Sequence, residues 1–232
     1  MKRILAYLLV PVLVLTLWSC DKSTEGVTRI TYYAELTLQG ESTLYVDKGS
    51  QFVDPGYTAT MNGEDVTSQV KVSSNVDTST SGVYTITYSI ANADGFSSTA
   101  QRTVIVTDPN DPIEGYWDTD PDSYRDYNGQ TFYGASYPVL ILNNGDGTYS
   151  VEDMLGGWYN YRAGYGSDYA MSGVISINGG VVTLVSSYIP GWGDGLDYLQ
   201  DGTYDASTNT LSWKVGYGGT LDFYVTMNKR MK

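Results

Sequence analysis

No histidine occurs in this chain, and its one cysteine is Cys20. Together these remove Ser-His-Asp and Cys-His catalysis and every histidine-ligated zinc or iron site. Carboxylates remain. A glycosidase needs two of them roughly 5 to 10 Å apart across a cleft. Asp153, Asp168, Asp194, Asp197 and Asp222 are available, but their spacing selects no pair. No catalytic residue is therefore assigned, and solvated loop acids are the expected state. Asp118-Thr119-Asp120-Pro121-Asp122 opens like a calcium loop. Ser123 then stands where a sharp-turn glycine is needed, and Gly129 where the bidentate glutamate belongs, which excludes an EF-hand. A non-standard calcium site stays open beside a plain acidic loop. No metal site and no cofactor is assigned.

The most suggestive constellation is aromatic. One glycine-rich segment, Gly156 to Tyr169, carries Trp158, Tyr159, Tyr161, Arg162 and Tyr165. A second, Tyr188 to Tyr198, carries Trp192, Asp194 and Asp197. Sugars present flat C–H faces and rings of hydroxyls. A ring stacked on the face, with Asp, Asn or Arg aimed at the hydroxyls, is what holds them. Trp158, Tyr161, Arg162, Tyr165, Trp192, Asp194 and Asp197 are the candidate ligand-binding residues. The competing expectation is packing, since aromatics are favoured in strands and fill small barrels. Read as a strand, Trp158–Tyr161 would turn alternate rings to opposite faces, so at most half could share one. Trp117 and Trp213 sit in strand-like contexts and are expected in the core.

The N-terminal residues give an address. Met1-Lys2-Arg3 precedes an apolar run from Ile4 to Trp18, followed by Ser19 and Cys20. Fifteen residues fall short of the roughly 20 that span a bilayer and fit a cleaved secretory signal. The pattern resembles the signals of bacterial lipoproteins. That resemblance implies acylation of Cys20 and a soluble body held to membrane lipid by more than one chain. Asp21 alone points to the inner membrane under the enterobacterial rule. Asp21 with Glu25 resembles surface-exported lipoproteins of Bacteroidetes, and the outer membrane, facing the cell surface, is the expectation adopted. Net charge is −13, and cleavage after Ser19 removes two basic residues and no acid. So acidic a body disfavours nucleic acid as a partner. With one cysteine no internal disulfide forms, and stability must come from burial.

The elements that must position these residues read as all-β. Tyr32–Leu38, Leu44–Val46, Tyr57–Met61, Val70–Ser73, Gly82–Ile90 and Arg102–Val106 are strand-like. In Gly82–Ile90, Tyr84, Ile86, Tyr88 and Ile90 share one face by the period of two. Short strands in such number, without helical periodicity, indicate a β-sandwich. Asp54-Pro55-Gly56-Tyr57, Asn62-Gly63 with Asp65-Val66-Thr67, Gly82–Tyr88 and Arg102-Thr103-Val104 resemble the bacterial surface immunoglobulin-like domain. The resemblance implies a disulfide-free spacer module and brings no catalytic residues. Tyr84 is a candidate corner tyrosine, its hydroxyl bonded to nearby backbone.

The proline-rich stretch Asp108–Pro112 reads as a semi-rigid linker. Beyond it lie fifteen of the 22 tyrosines and four of the five tryptophans. About eight antiparallel strands are expected there, closed as a barrel or stacked as a sandwich. Asp146-Gly147-Thr148-Tyr149 and Asp201-Gly202-Thr203-Tyr204 each read as a turn entering a strand. The organisation expected is a signal peptide over 1–19, a tether over 20–29, an immunoglobulin-like sandwich over 30–107, a linker over 108–112 and a β-rich domain over 113–232. Order and texture resemble lipoproteins of gut Bacteroidetes associated with polysaccharide use. The reading preferred is a lipid-anchored, non-catalytic glycan-binding accessory protein. The rival is a structural or adhesive lipoprotein whose C-terminal domain binds another outer-membrane protein. A glycoside hydrolase stands third.

Overall fold

A computed structural model describes residues 30–230. Cys20, the signal and the tether lie outside the described residues. The first unit comprises β1 (Glu35–Leu38), β2 (Thr43–Asp47), β3 (Tyr57–Met61), β4 (Glu64–Asp65), β5 (Lys71–Ser74), β6 (Gly82–Ala91) and β7 (Ser97–Thr107). One sheet runs β1-β3-β4 and the other β2-β7-β6-β5, with β2 parallel to β7. The alternation read in β6 is real: Ile86, Tyr88 and Ile90 are buried while Val83 is exposed. Ile86, Tyr88, Val104 and Val106 pack between the sheets. The Tyr84 hydroxyl donates to the Thr80 carbonyl at 2.8 Å, forming the expected corner. Arg102 is fully buried, pairs with Asp54 at 3.3 Å, and donates to the carbonyls of Gln39, Glu41 and Gly56. Partners on both sides make so buried a charge tolerable.

The second unit comprises β8 (Gly115–Thr119), β9 (Tyr124–Asp126), β10 (Gln130–Phe132), β11 (Pro138–Asn143), β12 (Thr148–Val151), β13 (Ser172–Asn178), β14 (Val181–Tyr188), β15 (Tyr198–Asp205), β16 (Thr210–Tyr217) and β17 (Leu221–Lys229). Neighbours in the order β8-β11-β12-β13-β14-β15-β16-β17 pair antiparallel. β17 returns to β8, with Met227 opposite Thr119 and Lys229 opposite Trp117. Eight strands thus close a barrel, which decides between barrel and sandwich. β9 continues along the same edge of β17, and β10 folds back on β9. Trp117, Trp213, Phe223, Leu211 and Met227 fill the interior. Each indole N–H finds a carbonyl, Trp117 on Ile113 at 2.7 Å and Trp213 on Met154 at 2.9 Å, as a buried donor requires.

Two local readings change. Asp201-Gly202 does not enter a strand. It is a bulge inside β15, with Asp201 at φ 53° and the register shifting between Gln200 and Thr203. A Cβ on Gly202 would lie 2.4 Å from the Val182 carbonyl oxygen, so the strand can kink there only at glycine. Trp158–Arg162 is not extended either, but a single π turn.

The units meet at Glu114, which is 4% exposed. Its carboxylate accepts Ser81 Oγ of the sandwich at 3.0 Å, the Asp108 N–H at 2.8 Å and the Asn143 N–H of the barrel at 3.2 Å. Asp111 caps Ile113 and Glu114 and holds the Asn143 amide at 2.6 Å.

Candidate ligand surface at one end of the barrel

The loop from β12 to β13 is built on Asp153. Its carboxylate is 1% exposed and accepts the N–H groups of Leu155 (2.9 Å), Gly157 (3.2 Å) and Met171 (3.3 Å). The two ends of the loop are so clasped together. Burial pushes the Asp153 pKa up to about 7, against the backbone N–H groups that favour the ionised form. Gly156 and Gly157 follow at φ 57° and 85°. A Cβ on Gly157 would sit 2.7 Å from Tyr137 Cβ, so both conformation and space demand glycine. The π turn then sends Trp158 and Tyr159 inward and leaves Tyr161 and Arg162 exposed.

Trp158 is therefore not the platform expected for it. It is 2% exposed, edge-on to Tyr133 (4.9 Å) and Phe223 (5.7 Å). The Arg162 and Arg125 guanidinium carbons stand 4.2 and 4.8 Å from its ring centroid. Cations are drawn to the face of an indole, and here they occupy the place a sugar would take. Tyr161, 43% exposed, lies parallel to Tyr137 at 5.7 Å. Arg162 Nε donates to the carbonyls of Phe132 and Tyr133 at 2.9 and 3.2 Å.

The two glycine-rich segments do converge. The Gly191 N–H donates to the Asp168 carbonyl at 2.7 Å, and a Cβ on Gly191 would lie 2.5 Å from the Tyr169 ring. Trp192 sits at the tip of the β14–β15 loop, closed by the Ile189↔Asp194 bridge. It is 43% exposed and braced by Tyr159 (4.7 Å), Tyr169 (4.8 Å) and Tyr217 (5.8 Å). Tyr165, 56% exposed, lies 6.2 Å from it. The result is an aromatic rim in which one indole and two phenols face water. Asp194 accepts the Tyr217 hydroxyl at 2.9 Å, and Asp197 accepts the Gly219 N–H at 2.7 Å. Both carboxylates thus brace the loop. Burial first, and Asp194 second, raise the Tyr217 pKa, so its phenol stays a donor.

The family described as "Bacterial surface protein, Ig-like domain" matches residues 36–106, and a second family, described as a C-terminal domain, matches residues 106–229. The crystal structure of the lipoprotein BT2262 from Bacteroides thetaiotaomicron is 38% identical to this chain. It covers 85% of this chain and 100% of that one, with a TM-score of 0.72. The chain belongs to the BT2262 family of lipoproteins. It is a bacterial surface lipoprotein with an immunoglobulin-like domain and a C-terminal barrel. Two structures of Clostridium perfringens ZmpB, one with CBM51-2 in complex with GlcNAc, share 23% and 20% identity over 50% and 53% of this chain. They cover 31% and 15% of those chains with TM-scores of 0.27 and 0.29, and likeness that low carries no argument. No curated protein matches.

In this member of the BT2262 family three further carboxylates are engaged by protein, while Asp168 lies exposed. Asp222 pairs with Lys214 at 2.8 Å and accepts the Tyr198 hydroxyl. Asp118 pairs with Arg230, and Asp120 caps the Asp122 N–H at 2.9 Å. Among the described residues no group of three or more Cys, Asp or Glu could hold a metal. Sequence reasoning counted Asp153 only among the available acids and Tyr159 only among the rings of its segment, and it missed Arg125 and Tyr217. Asp153 had a signal, since a short acid followed at the third and fourth positions by Gly-Gly offers itself as a cap for the turn between.

Proposed function

We propose that this lipoprotein is a non-catalytic glycan-binding accessory protein, anchored through acylated Cys20 to the outer membrane and facing the cell surface. The aromatic rim of the barrel is its sugar-contacting face. One observation carries the reading. Trp192 stands half open to solvent on a Gly-Trp-Gly tip, and three tyrosine rings behind it keep the indole from folding away. A rigid exposed indole is a costly thing to present to water, and it suits the apolar face of a pyranose. Tyr165 and Tyr161 extend the same end of the barrel.

Native gels containing single polysaccharides test it. Wild-type protein is expected to migrate more slowly in the gel holding the right glycan, and Trp192→Ala to migrate at the control rate with an unchanged melting temperature. A broad glycan panel without retardation, or retardation untouched by Trp192→Ala, overturns the reading. Release of reducing ends on prolonged incubation overturns its non-catalytic part.

A further inference from the structure

The barrel domain is poor in cations, and most of them are spoken for. Lys214 pairs with Asp222 and Arg230 with Asp118, while Lys229 donates to the Glu114 carbonyl. Arg125 and Arg162 differ, because neither forms an ion pair with a described carboxylate. They come from separate elements, β9 and the π turn, and both lie within 5 Å of the Trp158 ring centroid. Two like charges on one ring repel each other, and covering an indole needs no charge at all. In a chain of net charge −13, two guanidinium groups without a carboxylate partner meet at one ring, Arg125 also bonding the Tyr159 side chain. Arg125 Nε is buried without a hydrogen-bond partner. Arg162 uses its Nε on backbone carbonyls, which fixes the plane of the fork and leaves its two terminal nitrogens. Planar guanidinium forks match the geometry of carboxylate and sulfate oxygens. Phe132 and Tyr161, 50% and 43% exposed, stand beside Arg162 and offer rings to the sugar that carries such a group.

We propose that Arg125 and Arg162 form a subsite for an oxyanion on the glycan, a uronate carboxylate or a sulfate ester. This rests on the glycan reading and sharpens it to acidic polysaccharides. Trp158 is then the ring against which both cations are held.

Titration calorimetry separates the possibilities with matched ligands. Oligogalacturonate is compared with its methyl ester, and dextran sulfate oligomers with dextran. The wild type is expected to bind at least one charged ligand tenfold or more tightly than its neutral match. The ratio should fall to near one in Arg162→Gln and in Arg125→Gln, both checked by melting temperature. Trp192→Ala should weaken the charged and neutral forms alike. The pair of ligands that shows the preference identifies carboxylate or sulfate. A ratio of one in the wild type, with neutral sugars bound, overturns the subsite and leaves the glycan reading standing. So does a ratio that neither arginine variant moves. If no oligosaccharide binds, inorganic sulfate titrated alone decides. A sulfate site lost in Arg162→Gln keeps the subsite and sinks the glycan reading, and no sulfate binding sinks both.

Discussion

The Asp153 carboxylate reaches both ends of the loop carrying Trp158 and Tyr165. Truncation in Asp153→Ala strands the N–H groups of Leu155, Gly157 and Met171 in the interior. Each buried donor left unpaired costs about 1 to 3 kcal/mol, so a loss of at least about 3 kcal/mol is expected in denaturant unfolding. Its titration has a sign. With a folded pKa of about 7, the native protein keeps a proton that the unfolded chain has released between about pH 4 and pH 7. This group's contribution therefore makes stability fall as pH rises through that window. Asp153→Asn should flatten the slope, and an unchanged pH profile would refute the assignment. In the sandwich, Tyr84→Phe removes one hydrogen bond to Thr80 and should cost about 1 kcal/mol without altering the barrel. Tyr84 was legible because a tyrosine after Ser-Gly at the start of an alternating strand has one natural partner, the backbone just upstream. Trp158 was not. Besides the nearby Arg162, what covers it is Tyr133, Phe223 and Arg125, distant in sequence, and no local pattern announces those contacts.

At the scale of elements, strands with a strict period of two were readable. β6 alternates because one face packs and the other meets water, and that difference is written into its residues. The π turn was misread because Trp-Tyr-Asn-Tyr satisfies strand propensity while Gly156 and Gly157, at positive φ, forbid an extended entrance. Gly157→Ala adds a methyl 2.7 Å from Tyr137 Cβ in a conformation alanine resists. A cost of about 2 kcal/mol or more is expected, with faster amide exchange at Tyr161 and Arg162, whose N–H groups both reach the Gly157 carbonyl. The loop at Trp192 shows the same limit. β14 and β15 pair only at Val181↔Thr203, so the sheet parts towards residues 189–197. Next to that opening lies the bulge at Asp201-Gly202, which reads in sequence as an ordinary turn.

For the whole molecule, Glu114 decides how the domains behave. A carboxylate bonded to sandwich, linker and barrel at once should make the two turn as one body. Glu114→Ala leaves Ser81, Asp108 and Asn143 without that acceptor. Small-angle scattering should then report a broader particle, and calorimetry should separate one transition into two; an unchanged scattering curve would deny the joint its role. Barrel closure carries a different consequence, one of timing. The seam joins Thr119 to Met227, among the most distant partners in the chain. Contacts so far apart in sequence form slowly, and this one must wait for β17 to be synthesised and exported. Until then β8 has a bare edge, open to pairing with another chain. The last strand to arrive thus certifies the rest, and a chain cut short before it would keep that edge exposed to proteases and chaperones.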